Sequence, residues 1–83
     1  MNIDEKLKQD FILLGKHVKN MREERKLTLK DVSVKTGIRV QYLDKIEKGI
    51  AYGVLIDKHL LKIAIVLKVK MSELLNYKYL RKL

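Results

Sequence analysis

Eighty-three residues with 19 Lys plus Arg against 10 Asp plus Glu, a formal net charge of +9, make one small basic domain with room for a local core and little else. That balance favours a polyanionic partner, either nucleic acid or an anionic membrane surface. The absence of cysteine excludes a disulfide framework and thiolate metal sites, and FILL and IAIVL are far too short to span a bilayer. The N-terminal MNIDEKLKQD has neither the basic start nor the apolar run of a secretory signal, so a cytoplasmic protein is expected.

With no proline, four glycines and abundant Leu, Ile, Lys and Glu, the chain leans helical throughout. Ile3, Leu7, Phe11, Leu14, Val18 and Met21 recur every three or four residues and predict an amphipathic first helix over about 4–25. Thr28 is placed as an N-cap with Asp31 three residues on, predicting a short second helix that ends near Lys35 with Leu29 and Val32 inward. Gly37 follows, where two helices packed near a right angle need a position at which a side chain would clash. A third helix is predicted over about 40–48, with Leu43 and Ile46 inward and Gly49 taking the left-handed conformation after its last turn. Asp57 is the expected cap of a fourth helix whose Leu60, Leu61, Ile63, Ala64 and Leu67 face the core, and Lys70 or Ser72 opens a short fifth through Leu75. Residues 76–83 form a basic tail in which Tyr77 and Tyr79 alternate with Lys78, Arg81 and Lys82. The tail suits a nucleic-acid arm, a dimer-stabilising helix end or simple fraying.

Counting from Leu29, the inward residues Val32, Ile38, Leu43 and Ile46 fall where a helix-turn-helix over 28–48 needs them, with Ser33 small where the helices approach. Three blocks in this order, LGKHVKNMREERKLTLKDV, KTGIRVQYLDKIEKG and HLLKIAIVLKVKMSELL, resemble the helix-turn-helix family of phage repressors, Cro and XRE-type regulators over residues 14–75. The resemblance implies an all-α, five-helix, lambda-repressor-like fold and a small, dimeric transcriptional repressor that binds double-stranded DNA without a cofactor.

It also implies roles for particular side chains. Base contacts fall to Val40, Gln41, Asp44 and Lys45 at the start and on the outer face of the third helix. Gln41 suits bidentate pairing with adenine, Lys45 donation to guanine, Val40 a thymine methyl and Asp44 the cytosine amino group. Phosphate contacts fall to Thr28, Lys30, Arg39, Tyr42 and Lys48. Arg22 and Glu47 match positions where an arginine of the first helix pairs with a glutamate at the end of the third, a scaffolding role.

Two departures bear on function. Leu29 stands where the family usually has a glutamine that grips a phosphate. The linker IAYGVLI, residues 50–56, is apolar where the family is polar and basic, so it either covers the core or forms a protein interface, including a dimer that sets two recognition helices about 34 Å apart. The run LTLKDVSVKTGIRVQYLDKIEKG is also similar to the cytoplasmic helix-turn-helix domain of RodZ-type cell-shape proteins, which implies binding of an actin-like filament protein in place of specific DNA. Against that alternative, the last two helices follow the regulator pattern and no membrane span occurs within the 83 residues. Enzymatic chemistry is not expected: His17 and His59 have no partners at ligand spacing, Ser33 and Ser72 have no local base, and no Gly-rich phosphate loop occurs.

Overall fold

A computed structural model describes residues 5–53 and 58–76. Among them are five helices and no strand: α1 Glu5–Glu24, α2 Leu29–Thr36, α3 Val40–Glu47, α4 His59–Leu67 and α5 Met71–Leu74. This is the five-helix, lambda-repressor-like helix-turn-helix architecture. Ile3, Val54–Asp57 and the tail from Tyr77 onward lie outside the described residues, and with them the expected roles of Ile3, Asp57 and the two tail tyrosines.

The core is one cluster built from all five helices, with Leu14, Leu60, Ile63, Leu67 and Leu74 as its largest fully enclosed side chains. Phe11, Leu14, Val18 and Met21 supply the α1 stripe, and Val32, Ile38, Leu43 and Ile46 supply the helix-turn-helix unit. Burying such side chains stabilises the fold by about 1.5–3 kcal/mol each before the ordering cost of the chain is set against it.

Two stripe residues behave differently from expectation. Leu7 is 42% exposed, because α1 meets α3 and α5 through its middle and later turns, and Phe11 is its first buried residue. Leu61 is 49% exposed: Leu60, Ile63, Ala64 and Leu67 form the i, i+3, i+4, i+7 stripe, whereas Leu61 shares the opposite face with Ile65. At the start of α4, Lys58 occupies the N-cap position and supplies no side-chain cap.

The helix ends follow from local chemistry. Thr28 Oγ1 accepts from the Asp31 amide at 3.0 Å, and the Asp31 carboxylate accepts from the Thr28 amide at 2.9 Å, a complete capping box. Hydrogen bonds to the Asp31 carboxylate, first from the Thr28 amide and then from the Thr28 hydroxyl, hold this carboxyl below its ordinary value. After α3, the Gly49 amide donates to Ile46 and the Ile50 amide to Lys45, with Gly49 at φ +79°.

Candidate nucleic-acid interface

The turn between α2 and α3 is fixed by side chains that look unremarkable in sequence. Ser33 Oγ donates to the Ile38 carbonyl at 2.5 Å, while Thr36 Oγ1 donates to Val32 and accepts from the Ile38 amide at 3.1 Å. Both polar backbone groups of buried Ile38 are thereby satisfied, and the residue that seats the turn cannot shift without breaking them. Gly37 caps α2 at φ +78°, but a Cβ there would meet nothing within 4 Å. Its requirement is therefore conformational, a left-handed residue that side-chain-bearing amino acids resist, and the steric relief expected from the sequence is not its reason.

The close approach lies elsewhere. A Cβ on Gly15 would collide with the Ile46 and Glu47 carbonyl oxygens, so the backbone of α1 rests directly on the last turn of α3. Gly49 repeats the device: a Cβ there would sit 2.6 Å from Ile12 Cα. Neither approach is visible in the periodicity, because it depends on how two helices cross.

A charged pair completes this junction. Arg22 Nε donates to Glu47 Oε2 at 2.7 Å and its Nη2 to Oε1 at 3.0 Å, a bidentate pair whose side chains are only 11% and 8% exposed. Arg22 Nη1 also donates to the Leu27 carbonyl at 2.7 Å, tying the α1–α2 turn into the same network. The hydrogen bonds to Glu47 raise the guanidinium further above its already high value, so it stays charged at any ordinary pH.

Two further ties brace the scaffold, and neither has a signal in the residue pattern. Arg25 Nε donates to the Leu67 carbonyl at 2.6 Å and its Nη1 to Met21, linking the ends of α1 and α4. His17 Nε2 donates to the Glu73 carbonyl at 2.9 Å, linking α1 to α5. Only the crossing of distant helices brings these partners together.

With its C-terminal end held in this way, α3 presents its other side to solvent. Val40, Gln41 and Lys45 are exposed. Asp44 lies on the same side but is ion-paired with Lys48, Oδ2 to Nζ at 2.8 Å, so its charge is balanced within the helix. Arg39 is the exposed N-cap residue of α3 and contributes no side-chain cap, leaving the first amides of the helix without a side-chain acceptor. Thr28 and Lys30 are exposed at the start of α2. Tyr42 is half-buried with its ring tilted against His59, centroids 4.7 Å apart, and packs on the core.

The linker divides. Ala51 enters the core, Tyr52 packs edge-on against Phe11 at 5.2 Å, and Ile50 is 51% exposed. Among the described residues no group of three His, Cys, Asp or Glu side chains is placed to hold a metal, and no helix is long and apolar enough to cross a membrane.

Comparisons with curated proteins and with solved structures return no match. A family model described as helix-turn-helix matches residues 18–74, which span α2, α3, α4 and α5 and the later part of α1. The chain belongs to the helix-turn-helix family of phage repressors, Cro and XRE-type regulators, a family of DNA-binding transcription regulators.

Proposed function

We propose that this protein is a small cytoplasmic repressor that binds a specific double-stranded DNA site as a homodimer, with α3 lying in the major groove. The observation that carries the proposal is the division of α3 into a locked inner side, held by Gly15, Arg22 and Glu47, and a solvent-facing side bearing Val40, Gln41 and Lys45. A base-reading helix must be held rigidly, because hydrogen bonds to base edges tolerate little misplacement. Gln41 pairs with adenine N6 and N7, Lys45 donates to guanine and Val40 packs on a thymine methyl. Asp44 is the weakest reader of the four, since its carboxylate is already shared with Lys48 through Oδ2.

Phosphates on either side of the groove are held by Thr28, Lys30, Arg39 and Lys48, with the uncapped first amides of α3 adding donors. Tyr42 would reach a phosphate only through its hydroxyl end, its ring being engaged with His59. These groups set register and supply salt-dependent affinity without discriminating between sequences. Occupancy of a promoter by such a dimer blocks transcription without an effector domain.

Exposed Ile50 and Tyr52 favour a second function, in which this fold binds a filament-forming protein in the manner of the RodZ-type domains. Selection from a random duplex library separates the two. Enrichment of a palindrome, with log K falling by about 0.9 per phosphate contacted for each decade of salt, supports the dimeric repressor. Binding without any enriched sequence leaves only non-specific attraction and favours the protein-binding function.

A further inference from the structure

A cleft of about 270 Å3 lies between the α1–α2 turn, the end of α2 and the end of α4, lined by Leu27, Val66 and Leu67 with Arg25, Lys35 and Lys68 around them. None of the proposed base-reading residues of α3 borders it. Leu27 and Val66 are its half-buried apolar lining, Leu67 is fully buried, and every charged group lining it is a cation. Cations near helix C-termini ordinarily serve the last carbonyls, as Arg25 does here, while several others accept from backbone amides. Leu67 O accepts from Arg25, Ala64 O from the Val69 amide, Ile65 O from the Lys68 amide and Ser33 O from the Gly37 amide. Arg25 is committed to Leu67 and Met21, with Glu24 4.0 Å away, whereas the exposed ammonium groups of Lys35 and Lys68 have no ion pair among the described residues. Asp31 senses Lys35 electrostatically but spends its carboxylate on the Thr28 amide.

We infer that this cleft is a docking site for a partner protein that inserts one apolar side chain flanked by carboxylates. A volume of about 270 Å3 accommodates one large side chain. Charge selects an acidic flank: in a chain of net charge +9, a partner bearing carboxylates is drawn to the surface and then oriented by Lys35 at the end of α2 and Lys68 at the end of α4. The site does not require α3 to read DNA, so the two functions can fail separately.

The test is an NMR titration of the full chain with a capped peptide carrying one leucine between pairs of aspartates. Saturable shifts confined to the amides of Leu27, Lys35, Val66 and Lys68 are expected. Replacing the peptide's leucine by alanine should weaken binding, and the double variant Lys35→Gln, Lys68→Gln should weaken it by about fivefold or more. Lys45→Gln, on α3, should leave it unchanged. Unsaturable shifts scattered over the other lysines, or equal losses from the two sets of substitutions, would overturn the site. Displacement of the peptide by a random DNA duplex, with the same sensitivity to Lys35 and Lys68, would assign the cleft to nucleic acid and equally overturn it.

Discussion

The two sides of α3 are built on opposite principles. The inner side has almost no freedom: Leu43 and Ile46 are buried, the Ile46 and Glu47 carbonyls lie against Gly15, and Glu47 is gripped at two oxygens by Arg22. On the outer side, Val40, Gln41 and Lys45 are exposed, and Asp44 and Lys48 engage only each other. Substitution on the inner side should therefore change stability and leave sequence preference to follow the fold, whereas substitution on the outer side should change preference and leave the fold intact. A protein that used this helix only as scaffold would show no such separation.

The largest expected effect comes from breaking the charged pair. Arg22→Ala leaves the Glu47 carboxylate shielded from water without its partner and also orphans the Leu27 carbonyl, at a cost of about 3 kcal/mol measurable by urea unfolding. Glu47→Gln should cost less, since an amide still accepts from the guanidinium. Gly15→Ala comes next, at about 2–3 kcal/mol, because the new methyl meets backbone oxygens that can yield only if α1 and α3 separate. Gly37→Ala should cost about 1 kcal/mol, from the left-handed backbone alone, since nothing obstructs its methyl. The contrast between the two glycines sharpens the comparison: crowding at Gly15 and conformation at Gly37 predict that Gly37→Asn is nearly neutral, while Gly15→Asn is worse than Gly15→Ala.

The smallest effect concerns pH. The folded state holds the Asp31 carboxyl below its unfolded value of about 3.8, so its contribution is present above that value and is lost as pH falls through the lower folded value. Asp31→Asn should therefore remove a little stability at neutral pH and flatten the acid limb of the unfolding curve. An unchanged acid limb would mean that the capping box does not persist in solution.

Much of this architecture was legible in the sequence for identifiable physical reasons. Thr28 and Asp31 declare a helix start because a capping box is closed within four residues, and Gly49 declares a helix end because a left-handed residue is locally unfavourable for anything else. The helix stripes were legible wherever one face alone packs, as from Phe11 to Met21. Reading failed where three-dimensional approach decides. Leu7 satisfies the spacing but meets no core, Gly15 is an ordinary helix residue until α3 lies across it, and Arg25 finds its acceptor 42 residues away. Gly37 was placed correctly as the pivot of the turn for a reason the structure replaces. At the candidate interface, the sequence carried which residues stand on α3 and that Arg22 and Glu47 match a pair. The Asp44–Lys48 pair, four residues apart on one helix, is legible by its spacing too and lowers the standing of Asp44 as a base reader, whereas the tilt of Tyr42 against His59 is not legible.

The most direct measurement compares Gln41→Ala and Lys45→Ala with the unsubstituted protein on the selected site and on a scrambled duplex at fixed salt, alongside thermal unfolding. Loss of about 1–3 kcal/mol of preference per residue, with unfolding unchanged and scrambled binding of Gln41→Ala preserved, is the predicted result. Equal weakening on both duplexes for Gln41→Ala, which carries no charge to lose, would contradict a base-reading α3.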